Sequence, residues 1–469
     1  MPNYPAPRYP RFARPKSVEE LMPKARELLN APPTDRSKIA SGSSFFKPGY
    51  DIKPGDKILF VVLSEYDPMV VEAMRRAMKE KGATVDLLTL DSSPIAPPEE
   101  LAVHEAIAMG KEEEDYSYYY TLICDLLRTT TAKAMVELEK YSFIIAGQAG
   151  PAVPVDFPWF RFNFPELEDF AGPVIDMPVE LLEAIDQKGW AQIMSCEVMH
   201  LTDPEGTDVK WTNYKDGRRF APQHLLARPY YIGIGFGGKD DCIGVMGGTL
   251  NHMGAFPHIK AYLEGGQVVR LEGGGKYGDV WREKLEKYRK VKLPPLPFKR
   301  SSTPQSPHYQ INDPGLFWFF ECAIGTVPTV TRTTREGRFE NYANILHDRK
   351  RSGYIHCGFG PPTMSFEGMI RAGLPWVHTH IHLMFATLTG KTKDGKNVTI
   401  IDKGHLTALD DPEVRRLASK YADPDKLLNE IWIPGVPGIN LPGDYLRDYG
   451  RDPVSWIRKE AAEHPIWID

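Results

Sequence analysis

Residues 56–90 constrain the fold most. "DKILFVVLS" (56–64) is an unbroken apolar, β-branched run, the composition of a strand buried on both faces. "DPMVVEAMRRAMKEKGA" follows, with Asp67 as N-cap, Pro68 at the first helical position and Gly82 as the stop. "TVDLLTLD" then reads as a second strand. Strand, helix and strand at this spacing require a right-handed crossover between parallel neighbours. "YSFIIAG" (141–147) supplies a further buried strand, so residues 51–200 are expected to form an open α/β domain.

Residues 1–50 read as an extended arm carrying one helix, "SVEELMPKARELLN", with Ser17 as cap and Glu20 three positions on. Such an arm either wraps a neighbouring domain or subunit or is a loose tail. Beyond residue 200 the pattern shifts toward antiparallel pairing. "MHLTDPEGTDVKWTNY" is a strand, turn and strand, and "IKAYLEGGQVVRLEGGG" is a hairpin with Gly265-Gly266 at its tip. "KYGDVWREKLEKYRK" is helical, residues 292–307 are a Pro/Ser-rich loop, and "FWFFECAIG" resumes as strand. Residues 201–430 are thus expected to form an α+β domain, with 431–469 packed on it as a tail.

The chain is 469 residues long, enough for two or three cores. A net charge of −5 spread over both signs argues against nucleic acid or an anionic membrane as partner. No window approaches eighteen apolar residues, so no membrane span is expected. "MPNYPAPRYPRFARPK" lacks the apolar centre of a signal peptide. The five cysteines are scattered and form no CxxC pair, which points to a reducing compartment and a cytoplasmic protein.

Two motif-like stretches are weak. "GIGFGG" (233–238) fits G-x-G-x-x-G, but no helix start follows it, so a glycine-rich β loop is the better reading. The acids of "KEEEDYSYYY" (111–120) suit a solvated helix face, and its tyrosines suit packing or a pocket mouth.

The concentration of chemistry lies in "VHTHIHL". In a strand, His378, His380 and His382 share one face, and Val377, Thr379, Ile381 and Leu383 share the other. A helix would splay residues two apart, whereas strand histidines two apart can reach one metal ion. Imidazole suits Fe, Zn, Mn or Co. The plain alternative is a set of hydrogen-bonded histidines in a polar pocket. Glu321 in "FFECAIG" is a carboxylate in an apolar run, costly to bury unless coordinated or salt-bridged. His356 in "GYIHCGFG" is flanked by apolar and glycine residues, while His347 in "ILHDRK" has charged neighbours. H-E-x-x-H and G-x-S-x-G are absent, and Cys357 beside His356 does not make a catalytic dyad.

Taken in order, several segments resemble the thermophilic metallo-aminopeptidase (aminopeptidase T) family, which includes iron-dependent 2,5-dihydroxypyridine 5,6-dioxygenases. They are "PGDKILFVVLSEYDPMVVEAMRRAMKEKGATV", "DPEGTDVKW", "LEGGQVVRLEGGG", "FFECAIG", "ILHDRKRSGYIHCGFG" and "HIHLMF". The resemblance covers roughly residues 50–400. It implies an open α/β N-terminal domain followed by an α+β metal-binding domain, and it puts Glu321, His356, His380 and His382 at metal-ligand positions.

Two departures bear on chemistry. The family's final aspartate is His382 here, and "LNHMGAFPH" keeps Asn251 but lacks the peptidase's first metal glutamate. Fewer carboxylates weaken a bridged two-metal peptidase site. What remains is closer to the two-histidine, one-carboxylate set of mononuclear Fe(II) oxygenases. The resemblance therefore implies an Fe(II) dioxygenase acting on a small hydroxylated aromatic or heteroaromatic ring with O₂; Zn, Mn or Co are the other ions to consider. His378 or His356 is the candidate acid/base, and His252, His258 and His347 are candidate substrate contacts. His252 and His258 are also candidate replacement ligands. The alternatives are a metal-dependent hydrolase of aminopeptidase, amidase or lactonase type, and a scaffold with a decayed site. A homodimer is expected from the arm and the resemblance.

Overall fold

The structure, a computed structural model, describes residues 4–31, 47, 49–64, 66–90, 102–103, 140–146, 159–213, 228–230, 242–251, 254–292, 314–331, 350–360, 373–374, 377 and 379–468. His252, His347, His378, the "GIGFGG" stretch, the 111–120 run and residues 293–307 lie outside the described residues.

The arm bears a short strand β1 (Phe12–Ala13) and then helix α1 (Val18–Leu29). Leu21, Met22, Ala25, Leu28 and Leu29 form the buried stripe of α1. Ser17 does not cap it as the sequence suggests. Its hydroxyl turns instead to the Glu20 carboxylate at 3.5 Å, a charged acceptor, and Glu20 accepts the Lys16 amide at 3.3 Å. The Glu20 bond reaches the amide before the N-cap, so neither half of the capping box is made.

The first sheet holds β2 (Lys57–Leu63), β3 (Thr84–Leu90), β4 (Phe143–Ala146) and β5 (Trp159–Arg161), all parallel, in the order β3-β2-β4-β5. Helix α2 (Pro68–Glu80) joins β2 to β3, and the Asp67 carboxylate accepts the Met69 amide at 2.9 Å. Helix α1 packs on α2 and on the short α3 (Leu167–Ala171). A longer helix, α4 (Val179–Ser195), leads into the second sheet.

That sheet begins with β6 (Cys196–Asp203) and β7 (Thr207–Thr212), which turn at Asp203–Thr207. It continues with β8 (Arg228–Tyr230), β9 (Ile243–Leu250), β10 (Ala255–Glu264) and β11 (Gln267–Gly273). Helix α5 (Gly275–Tyr288) follows, then β12 (Trp318–Ile324), β13 (Ile355–Gly360), β14 (Thr379–Leu383), β15 (Thr387–Thr392), β16 (Asn397–Asp402) and β17 (His405–Leu406). Strands β9 to β14, leaving out helix α5 between them, pair antiparallel around a closed ring, because β9 bonds both β10 and β14. A ring has no free edge along its closed side. Strand β9 also bonds β7, and from there the sheet runs out as β7-β6-β15-β16-β17.

The ring closes at one register pair, His382 with Leu250. Close approach there needs glycine: a Cβ on Gly248 would stand 2.5 Å from Ile381 Cγ2. Gly265 and Gly266, both at positive φ, turn the β10–β11 hairpin.

The remaining residues form α6 (Pro412–Ala418), α7 (Pro424–Leu428), α8 (Pro453–Glu463) and β18 (Trp467–Ile468). The arm is no loose tail. Strand β1 pairs with β18, Arg8 and Ile433 exchange two backbone hydrogen bonds at 2.9 Å, and Tyr9 donates to Glu460 at 2.8 Å. The arm thus straps the C-terminal segment, while α1 just beyond it sits on the first sheet's helices.

Candidate metal centre

Strand β14 alternates as its sequence demands, and both of its faces are buried. Antiparallel register with β13 sets His382 opposite His356 and His380 opposite Gly358. Opposed residues share a face of the sheet. Three histidines therefore gather on one patch, each fully buried. Ring centroids lie 4.5 Å apart for His356–His380, 4.8 Å for His356–His382 and 5.9 Å for His380–His382.

The rings are fixed from behind. His356 Nδ1 lies 3.0 Å from His382 Nε2, and the Tyr354 hydroxyl lies 3.0 Å from His382 Nδ1. Tyr354 stands two residues before His356, so extended backbone aims both the same way. Helix α5 holds the strand itself: the Tyr277 hydroxyl donates to the His380 carbonyl at 2.9 Å and meets the Thr379 hydroxyl. Tyr277 is steadied by stacking on Phe256, with centroids 4.1 Å apart. The backbone amide of Phe385, just past β14, donates to Asp203 at 3.3 Å.

Glu321 lies on β12, where register sets it opposite Gly358, and Gly358 opposite His380. One side-chain-free position separates the two residues across the sheet. A register shift between Phe319 and Glu321 marks an irregularity in β12 at this point.

His258 stands elsewhere. Its Nε2–H donates to the Glu205 carbonyl at 2.6 Å, and its ring meets Tyr445 edge-on at 5.5 Å. Burial pushes its pKa down. Asn251 is also occupied, donating to the Ala102 carbonyl at 2.9 Å. Neither joins the three histidines.

The donor chemistry suits a transition metal. Two nitrogens bound to one ion at about 2.1 Å and at right angles are about 3 Å apart. The His356–His382 separation matches that figure. The Tyr354 hydroxyl stands at His382 Nδ1, the place where an outer partner would orient a ligating imidazole. Among the described residues, no three His, Cys, Asp or Glu side chains already converge as a ligand set.

Tyr354 was readable in the sequence as the residue two before His356. Tyr277 and Asp203 were not, since each reaches the strand from far along the chain.

No protein family and no curated protein matches the chain. Solved structures similar to it in the course of the chain include the following two. One is 2,5-dihydroxypyridine dioxygenase from Pseudomonas putida KT2440, with a TM-score of 0.43, 13% identity, and coverage of 84% of this chain and 98% of that one. The other is AmpT from Thermus thermophilus, with a TM-score of 0.40, 13% identity, and coverage of 83% and 99%.

Proposed function

We propose that the chain is a mononuclear metalloenzyme that uses Fe(II) and O₂ to oxidise or cleave a small hydroxylated aromatic or heteroaromatic ring. One observation carries this reading: His356 Nδ1 and His382 Nε2 face each other at 3.0 Å in a fully buried patch, with His380 beside them. His356 and His382 would hold the ion, completed by His380 and by Glu321 from β12. A ferrous ion in such a site supplies the electrons and charge that let O₂ react with an electron-rich ring.

The chain's own residues do the rest. With His382 Nδ1–H donating to the Tyr354 hydroxyl 3.0 Å away, the lone pair on Nε2 would be free for ligation. Burial removes competing water and strengthens local charge interactions. His378, which precedes β14 in the sequence, is the group assigned to take the substrate's hydroxyl proton, because imidazole titrates near neutral pH.

Metal analysis of protein purified without oxygen tests the reading. It predicts one iron per chain, and O₂ uptake when a dihydroxylated aromatic is added. Two zinc or cobalt ions per chain with peptide cleavage would overturn it in favour of a hydrolase. A protein that binds no metal, and is as stable with His382→Ala as without it, would be a scaffold.

A further inference from the structure

Cys322 of β12 and Cys357 of β13 are register partners, and both are fully buried. We propose that they form a thiol–disulfide modification site, closed by hydrogen peroxide and opened by a dithiol.

The backbone geometry permits the bond. Directly opposed residues of an antiparallel pair have Cα atoms about 4.5–5.5 Å apart, inside the roughly 4.4–6.8 Å that disulfides span. Their Cβ atoms, at about 4.5–5.5 Å, stand slightly wider than the roughly 3.5–4.5 Å of a relaxed disulfide. Closing the bond must draw the strands together. A bond made under that load is more easily reduced, the mark of a reversible rather than a structural disulfide.

No other described cysteine has such a partner. Cys196 stands opposite Thr392, and Cys242 lies just before β9, where its carbonyl accepts the Gly266 amide. Among the described residues, β12 pairs on its other side with β11 at Gln267–Trp318 and with three residues of β8. Both thiols are buried, so a small oxidant such as peroxide reaches them through local opening of the strands.

The position is what gives the bond a consequence. The Cys322–Cys357 rung lies between two others, Glu321 with Gly358 and Ala323 with His356. Drawing the strands together there shifts Glu321 and His356 relative to His380 and His382. The chemistry balances: one thiol is oxidised to a sulfenic acid as the peroxide O–O bond breaks and water leaves. The second thiol's sulfur attacks the first, the S–O bond breaks and a second water leaves. The chain loses two hydrogens and peroxide takes up two electrons.

The test is native wild-type protein treated with graded hydrogen peroxide, then unfolded, alkylated and mapped by peptide mass. The expected product is a linked pair of peptides bearing residues 322 and 357, two hydrogens lighter than their sum and separated again by dithiothreitol. Cys322→Ser and Cys357→Ser should each abolish it. The inference is overturned if both thiols stay open to alkylation at doses that oxidise methionine. It is equally overturned if either goes on to sulfinic acid unlinked, or if either pairs with Cys124, Cys196 or Cys242. Should a serine variant fail to fold, the wild-type map and its reversal still decide. The readout is mass, so it stands whether or not the histidines bind iron.

Discussion

His382 is held at both ring nitrogens, by His356 Nδ1 at 3.0 Å on one side and by the Tyr354 hydroxyl at 3.0 Å on the other. The second contact decides what the first can do. With the Nδ1 proton given to Tyr354, His382 Nε2 keeps its lone pair; with the opposite tautomer it becomes a donor to His356. Tyr354→Phe removes the choice of tautomer and little bulk. Metal affinity should fall about 10–100-fold, as when outer partners of ligating histidines are lost. Folding stability should fall by only about 1 kcal/mol, the worth of one hydrogen bond. Titration of the metal-free protein with Co(II) against a competing chelator measures the first, and urea unfolding the second. Unchanged Co(II) affinity would remove Tyr354 from the site.

Gly248 tests the seam that closes the strand ring. A methyl there meets Ile381 Cγ2 at 2.5 Å, and β9 joins β14 through the single pair Leu250–His382. Gly248→Ala should cost about 1–3 kcal/mol, the usual result of overpacking. It should also disturb the histidines, since Ile381 lies between His380 and His382. Denaturant unfolding with a Co(II) spectrum reads both effects. A variant within about 0.5 kcal/mol of wild type, a change typical of surface positions, would mean the seam is loose.

The parts legible in the sequence were those set by short-range pattern. The apolar run of β2, the Asp67-Pro68 start of α2 and the alternation of β14 all follow from local chemistry, and each stands where the pattern puts it. The shared face of His380 and His382 is likewise a matter of strand geometry. What was hidden depends on register between distant strands. His356 meets His382 because β13 and β14 align at that rung, and a one-residue slip would turn one of them to the other face. Closure of the ring through β9 and β10 leaves no local trace. Ser17 misled because a capping box looks the same in sequence whether or not the serine hydroxyl reaches the backbone.

His405 lies between Glu430, at 3.0 and 3.1 Å from Nδ1, and Asp410, at 2.9 Å from Nε2. The Glu430 hydrogen bond, partly offset by burial and then aided by the Glu430 charge and by Asp410, pushes its pKa up to about 9. A folded-state value above the unfolded one means stability that is fully present below about pH 6.5, the ordinary histidine value. That stability drains as pH rises through about 9. His405 is a third exposed, so solvent screening brings the worth of the charge to about 1–2 kcal/mol. His405→Gln should be less stable than wild type at pH 6, with the gap narrowing by pH 9.5. A gap of the same size at both values would mean the imidazole acts by packing alone.

Asp203 and Glu205 present the opposite imbalance, two buried carboxyls side by side. Glu205 accepts from Thr249 at 2.8 Å and from Tyr445 at 2.6 Å, and Asp203 accepts the Glu205 and Phe385 amides. Burial nonetheless pushes both pKa values well up; for Glu205 the neighbouring Asp203 charge adds to it, while the Tyr445 and Thr249 bonds oppose it. An acid whose pKa is higher in the folded state binds its proton more tightly there. Stability is therefore greatest in the ordinary carboxylate range and falls as pH rises toward the raised values. Glu205→Gln removes the charge and keeps a carbonyl oxygen for Tyr445 and Thr249. The variant should gain on wild type as pH rises from 5 to 8, and its stability should vary less with pH across that range. Urea unfolding at the two values measures it. If the variant instead loses ground as pH rises, the Glu205 charge is a stabilising feature of the fold, paired through groups other than those seen to donate to it.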